Sequence, residues 1–228
     1  MGHKLVELIT KYYNVSQKDA NGRYRSWEHC YYNFYKAREE SNVDVDYLSL
    51  QLAFYLASWG MYRGSSFLLE KDYKIHIPVV EEILKDEYDE LFGADVSAFL
   101  ERSVQMKLEK LNDFIVNYYE KVRVDVKGCD VKTSLSTTLV TKILMGTLGC
   151  APAYDEYFVK AVRKTKVAIG TYNVRSLEQL AKFYMDNYDE LEVMRENMWV
   201  KDVKYPQMKL LDMGFWQMGV DMKRTKEK

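Results

Sequence analysis

Arg63 is the residue with the most unusual surroundings, because it stands inside the apolar segment LASWGMYRGSSFLL. A buried guanidinium without a partner costs several kcal/mol, so it must meet a carboxylate, carbonyls or an anionic ligand. Glycines inside a helix indicate that another backbone or a ligand approaches closely. The segment therefore predicts a polar pocket for a protein partner or a small anionic ligand. Its predicted residues are Trp59, Gly60, Arg63, Gly64 and Ser66, with Trp59 as a stacking wall.

The alternative for this segment is structural. A close helix crossing with an internal ion pair between Arg63 and an aspartate or glutamate explains the same residues. Under both interpretations, we expect Arg63 to be largely buried with a carboxylate in hydrogen-bonding range.

A second pattern combines an arginine and a histidine in GRYRSWEH, where Arg23 and His29 are six residues apart. The pair resembles the Arg-x(4–6)-His signature of HEPN ribonucleases, which are small helical domains. The resemblance covers seven residues and implies metal-independent cleavage of RNA. In that chemistry histidine exchanges a proton near neutral pH and arginine holds the phosphate. The alternative is that His29 is an ordinary helix residue bonded to a neighbour.

A third pattern is electrostatic. From Tyr157 to Leu177 the sequence contains five basic residues, one further tyrosine and no aspartate or glutamate. Such a stretch can follow a phosphate backbone, which makes nucleic acid a possible partner. Against this, the acidic segment from Glu81 to Glu90 would repel nucleic acid on the same side, and charge runs usually mark a solvated face. The candidate nucleic-acid contacts are Lys160, Arg163, Lys164, Lys166 and Arg175.

The sequence lacks the other common motifs of catalysis and cofactor binding. The chain has no Walker phosphate loop, no GxGxxG turn and no GxSxG elbow. With three histidines, three cysteines and no CxxC, the usual structural zinc arrangements cannot form, so we predict no metal and no cofactor. Lys142 and Asp155 flank a turn rich in glycine, and an internal salt bridge between them is the simplest interpretation.

Hydrophobic periodicity and the small number of breakers predict an all-α fold of eight or nine helices. The three prolines each suit the first turn of a helix. The segment 47–73 is apolar nearly all round and is predicted to be the buried central helix. Asp44 or Asp46 is expected to begin it. Ser176 with Gln179 predicts a capping box at the start of a later helix that reaches about Trp199.

Composition places these helices in one soluble domain. The chain has 228 residues, 47% of them hydrophobic, and a formal net charge of -1. We expect one domain over 1–222 and a solvated basic tail over 223–228. Three well-separated cysteines indicate reduced, buried thiols, and the absence of a leader or a long apolar segment predicts a cytoplasmic protein without membrane contact.

Taken together, these residues predict a non-enzymatic helical binding domain with its pocket around Arg63. The alternative from a different class is a HEPN-like ribonuclease, or another protein acting on nucleic acid, that uses Arg23 and His29.

Overall fold

The computed structural model describes residues 1–126 and 134–225. About 70% of the chain is helical, which confirms the predicted all-α fold. The strands in the described residues are β1 (Trp199–Val200) and β2 (Val203–Lys204), which form one short antiparallel pair. The α-helices are α1 (Gly2–Gln17), α2 (Arg25–Ala37), α3 (Val45–Ser58), α4 (Ile77–Ile83), α5 (Arg102–Val124), α6 (Thr137–Thr147), α7 (Glu156–Thr165), α8 (Val174–Asp186), α9 (Tyr188–Arg195) and α10 (Gln207–Arg224).

Short 3-10 helices fill the connections on either side of α4. They span Phe67–Glu70, Tyr73–His76, Asp86–Leu91 and Val96–Leu100. Pro78 lies in the first turn of α4, as its residue type predicts, and the chain beyond this short helix continues as the 3-10 helix Asp86–Leu91.

The prediction of a continuous helix over 47–73 is wrong beyond Ser58. Gly60 adopts a left-handed φ of +76°, and its N–H bonds to the carbonyl of Ala57. The next N–H, from Met61, bonds to the carbonyl of Leu56 at 2.9 Å. These two bonds form a Schellman motif, in which a glycine after the last turn satisfies the free carbonyls. The glycine therefore ends α3 and does not lie inside it.

The buried central helix is α10, and the prediction that the segment 47–73 forms it is wrong. Every residue from Gln207 to Gly219 is buried. The helix packs against α1 and α7. Two glycines bring these neighbours close, since a Cβ on Gly214 would lie 2.5 Å from Leu5 and one on Gly219 would lie 2.1 Å from the carbonyl oxygen of Tyr157.

Local capping determines where α3 and α8 begin. The side chain of Asp44 accepts a hydrogen bond from the N–H of Tyr47 and begins α3, as one of the two predicted alternatives states. In α8, however, Asn173 and not Ser176 caps the helix, accepting the N–H of Ser176 at 2.9 Å. The helix predicted to reach Trp199 is interrupted at Asn187, where α8 ends and α9 begins.

The remaining predictions concern cysteines and the C-terminus. Cys30 and Cys150 are free and buried, and burial raises the pKa of both thiols. Cys129 lies outside the described residues. Lys223 and Arg224, predicted for the tail, form the last turn of α10, and 226–228 lie outside the described residues. In the described parts, no helix is both long and apolar enough to span a membrane.

Candidate ligand-binding site

Charged side chains are buried where α3, α6 and α10 meet the start of α7. Lys142 of α6 is 4% exposed, and Lys209 and Asp212 of α10 are 3% and 6% exposed. Asp155, the cap of α7, is half-buried beside them. We call the small space between these groups the inner cavity. The centre of a water molecule can occupy about 10 Å³ of it, so the cavity has room for about one water. It is lined by Tyr12, Tyr55, Trp59, Lys142, Ala153, Asp155, Lys209, Asp212 and Trp216.

Lys209 and Asp212 satisfy each other. The Lys209 ammonium donates to Asp212 Oδ2 at 2.8 Å, and Asp212 Oδ1 accepts the N–H of Ala153 at 3.0 Å. The same ammonium lies 4.7 Å from the centre of the Trp27 ring, a cation–π distance. This pair therefore holds α10 to the loop before α7.

Lys142 and Asp155 are less completely paired. The Lys142 ammonium donates one hydrogen bond, to the carbonyl of Trp59 at 3.1 Å, and no carboxylate lies within ion-pair distance of it among the described residues. Burial lowers the pKa of Lys142, while the charges of Asp155 and Asp212 oppose that shift. Burial also raises the pKa of Asp155, against the attraction of Lys142. The predicted Lys142–Asp155 salt bridge is thus replaced by electrostatic coupling across the cavity.

Trp59 connects this cavity to the surface. Its ring centre lies 5.2 Å from the Lys142 ammonium and 5.2 Å from the guanidinium carbon of Arg23. Its indole Nε1 is buried and has no hydrogen-bond partner in the described residues. The ring also makes edge contacts with Tyr24 and Trp216, at centre distances of 5.5 and 5.9 Å. The indole is therefore in contact with two cations that lie in different parts of the site.

A wider groove lies on the other side of Trp216, and we call it the outer groove. Its volume is about 440 Å³, within the usual range of small-molecule sites. Four of the side chains that line it are cationic and none is acidic, although the nearby Asp221 carboxylate lies 2.7 Å from the Lys11 ammonium. The lining residues are Lys11, Val15, Arg23, Tyr24, Tyr157, Trp216, Gln217, Val220, Lys223 and Arg224.

The pocket predicted around Arg63 is not assembled as expected. Arg63 is exposed, and the prediction of its burial is wrong. Its side chain lies against Gly60, so a Cβ added there would meet Arg63 Nε at 3.2 Å. Gly64 has a left-handed φ of +61°, and Ser66 begins a 3-10 helix by accepting the N–H of Leu68. Of the five predicted residues, Trp59 alone lines the inner cavity or the outer groove.

The structure also separates Arg23 from His29. Arg23 lies in the outer groove, 5.4 Å from the Tyr24 ring centre, whereas His29 is exposed on α2 and is not part of the groove. No hydrogen bond, ion pair or ring contact joins the two residues in the described parts of the chain.

The five predicted nucleic-acid contacts lie on α7, the loop after it and the start of α8. Lys160 is half-buried, and the other four are exposed. Arg163 is used locally, because it donates to the carbonyls of Ile169 and Gly170. Lys166 ends α7 in a left-handed conformation, with φ +60°. Lys160 follows Tyr157 by three residues and Lys164 follows Lys160 by four, and these helical spacings place all three on one side of α7.

Lys209 and Asp212 were not predicted from the sequence as site residues. Their signal is a lysine and an aspartate three residues apart in MKLLDMGFWQM, a helix that is otherwise apolar nearly all round. Charged residues in such a helix must be paired or lie in a site. No group of three or more histidine, cysteine, aspartate or glutamate side chains in the described residues is arranged to bind a metal ion.

Comparison with known proteins gives no further assignment: the chain matches no protein-family model, and neither a curated protein nor a solved structure is significantly similar to it.

Proposed function

We propose that this protein binds a small anionic ligand of nucleotide size, with a phosphate group, in the outer groove. The observation that carries the proposal is the lining of the groove, where four cationic side chains, one of them (Lys11) paired with Asp221, and no acidic lining residue surround about 440 Å³. Arginine and lysine are the side chains that bind phosphate, and arginine can do so with two parallel hydrogen bonds. The binding class matches the one predicted from the sequence, but the site is moved from Arg63 to Arg23 and α10.

The aromatic side chains support a ligand that also has a flat ring. Tyr24 and Tyr157 are half-buried at the wall of the groove, with Trp216 between them. The Lys223 ammonium lies 5.6 Å from the Tyr157 ring centre, so a cation and a ring surface lie side by side. A nucleotide has a phosphate that can bind the cation and a base that can stack on the aromatic ring.

Binding of adenosine 5′-diphosphate, measured by isothermal titration calorimetry, tests the proposal. Arg23→Ala should weaken binding by about ten- to one hundred-fold, because a charge-assisted hydrogen bond is worth about 1.5–3 kcal/mol. Arg102→Ala is the matched control, since Arg102 is an exposed arginine that pairs with Glu109 on α5, outside the groove. The proposal is wrong if the diphosphate does not bind, or if both variants bind it as the wild type does.

Nucleic-acid binding is the second candidate, and the row of Tyr157, Lys160 and Lys164 on α7 favours it. A single-stranded RNA could extend from the outer groove along this row, whereas a mononucleotide could not. Changing Lys160 and Lys164 to glutamate should therefore weaken RNA binding in a salt-dependent manner and leave the affinity for adenosine 5′-diphosphate nearly unchanged. Equal effects on both ligands, or none on RNA, would contradict this second candidate.

A further inference from the structure

The outer side of α3 carries a row of exposed apolar side chains. Tyr47, Leu50 and Phe54 follow one another at spacings of three and four residues, which places them on one side of the helix. Their side chains are 45%, 46% and 61% exposed, and Ala57, one turn further on, is exposed beside them. The other sides of α3 pack against α2, α4 and α6. We call these four residues the α3 stripe.

The α3 stripe also lacks charge. Between Asp46 and Arg63 the sequence contains no acidic or basic residue, and the polar residues that border the stripe are Gln51 and Ser58. The solvent side of a helix normally carries charged side chains. Single exposed apolar residues are common on protein surfaces, whereas a continuous row of them marks a surface that another protein covers.

The two ends of the α3 stripe carry opposite charges. At its amino end, Asp44 Oδ1 accepts the capping hydrogen bond of α3, and the neighbouring Asp46 lies 3.7 Å from the Lys74 ammonium. At its carboxyl end, the Arg63 side chain lies against Gly60. Within the described residues Arg63 forms no ion pair or side-chain hydrogen bond. Its guanidinium is therefore available for a carboxylate of another molecule.

We infer that the α3 stripe is the contact surface of a symmetric dimer, in which α3 of a second copy of this chain lies antiparallel against it. A twofold axis at the level of Leu52 pairs positions that are equally far from it along the helix. Leu50 then faces Phe54 of the second copy, and the large Tyr47 faces the small Ala57. Each contact occurs twice, as a self-complementary interface requires, and large side chains meet small ones.

Charge selects this orientation and this occupant. The same register places Asp44 opposite Gly60 of the second copy, and the Arg63 guanidinium lies beside that glycine. The dimer therefore gains two ion pairs between Asp44 and Arg63, one at each end. A parallel arrangement would instead place Asp44 near Asp44 and Arg63 near Arg63, and such like-charge contacts oppose association.

The surface is small, so the dimer should be weak. A stable interface contains about 20–30 residues on each side, many more than the α3 stripe and its two charged ends provide. We expect a dissociation constant of about 1–100 µM. None of these residues lines the outer groove, so self-association and ligand binding are independent proposals.

Sedimentation equilibrium of the full chain, at concentrations up to about 0.5 mM, tests the inference. The wild type should change from monomer to dimer as the concentration rises. Phe54→Glu should weaken the dimer by about 100-fold or more, because two unpaired carboxylates would be buried between the helices. Leu50→Glu should do the same, and circular dichroism checks that both variants are folded. Val193→Glu on α9 is the matched control, since Val193 is 65% exposed and lies outside the α3 stripe, and it should dimerise as the wild type does.

Charge variants test the orientation. Arg63→Gln should weaken the antiparallel dimer by about two- to thirty-fold, the combined effect of two exposed ion pairs. In a parallel dimer the same variant would remove repulsion and strengthen association. Asp44→Asn should act as Arg63→Gln does, because asparagine can still cap α3. Arg102→Gln is the control, since Arg102 is an exposed arginine that pairs with Glu109 on α5, and it should leave dimerisation unchanged.

The outcomes against the inference are distinct. A wild-type chain that stays monomeric at every concentration would overturn it and leave the α3 stripe to a different kind of partner. A dimer that survives both Phe54→Glu and Leu50→Glu would show that the copies meet through another surface. A dimer that Arg63→Gln leaves unchanged or strengthens would overturn the antiparallel arrangement.

Discussion

The indole of Trp59 shows how one side chain can serve two parts of a site. Its ring contacts Arg23 and Lys142, and the backbone carbonyl of the same residue accepts a hydrogen bond from the Lys142 ammonium. Both cations lie 5.2 Å from the ring centre, and burial together with the charge of Arg23 lowers the pKa of Lys142, so removing Arg23 changes the electrostatic environment of Lys142. The residue was expected from the sequence as a stacking wall, but for a pocket centred on Arg63.

His76 is a second residue whose surroundings determine its chemistry. It is fully buried, with Nε2 2.7 Å from the hydroxyl of Tyr62 and Nδ1 hydrogen-bonded to the hydroxyl of Tyr119. Burial lowers the pKa of His76 from 6.5 to about 3. The native histidine is therefore neutral, whereas in the unfolded chain it takes up a proton below about pH 6.5.

This difference predicts how stability depends on pH. As the pH falls from about 6.5 towards 3, the unfolded state binds a proton that the native state does not, so the free energy of unfolding decreases by about 1.4 kcal/mol per pH unit from this residue. His76→Gln removes that term. The stability advantage of the wild type over the variant should shrink by about 2 kcal/mol between pH 7 and pH 5, measured by urea unfolding.

His29→Gln is the control for this measurement, because His29 is exposed on α2. Its unfolding free energy should follow that of the wild type over the same pH range. If the advantage of the wild type over His76→Gln is the same at pH 5 as at pH 7, then His76 is not held neutral by burial.

The candidate site shows which residues the sequence can identify and which it cannot. Arg23, Trp59, Lys142 and Asp155 all attract notice locally, by their spacing or their neighbours. Their partners cannot be identified in that way, because Lys142 meets the Trp59 carbonyl across 83 residues and the Ala153 N–H meets Asp212 across 59. Such contacts depend on how the helices pack, and local periodicity contains no information about that.

Among the helices, the end of α3 shows a limit of a different kind. Hydrophobic periodicity correctly indicates the helix after Asp44, and the apolar residues beyond Ser58 continue the pattern. Gly60 was interpreted as a glycine inside a helix, where it would mark a close approach. Its positive φ instead gives the turn that exposes Arg63. A glycine has the same appearance in the sequence in both roles, and the backbone hydrogen bonds of Met61 decide between them.

The crossing of α10 and α7 makes a prediction at the level of the elements. Glycine to alanine normally stabilises a helix interior by about 1 kcal/mol. At Gly219 the added Cβ would lie 2.1 Å from the backbone oxygen of Tyr157, so one of the two helices must move. We expect Gly219→Ala to destabilise the protein by about 2 kcal/mol, measured by chemical denaturation, and to weaken ligand binding because Tyr157 lines the groove.

Gly64→Ala separates backbone strain from crowding. No atom lies within 4 Å of a Cβ at this position, so its cost comes from the left-handed φ alone, about 1 kcal/mol. It should leave ligand binding unchanged, since Gly64 lines neither part of the site. An increase in stability for Gly219→Ala would show that α7 and α10 do not approach as closely as described.

In the whole molecule, the first and last helices of the described residues, α1 and α10, pack together in the core. Leu5 and Ile9 of α1 are fully buried and lie against Gly214 of α10. Tyr12, one turn further on, packs edge to face on Trp216 and lines the inner cavity. The helix that begins the chain thus covers the most buried helix and closes one side of the site.

Removing α1 should therefore affect the whole molecule and not one end of it. A chain lacking residues 1–17 exposes the apolar face of α10 that α1 covers, and we expect it to lose its cooperative unfolding transition. Urea unfolding followed by circular dichroism and by tryptophan fluorescence provides the measurement. A chain that ends at Thr225 keeps all of α10 and is the control; its two transitions should coincide, as in the wild type. A sharp, coincident transition in the chain without α1 would mean that the remaining helices form a core of their own.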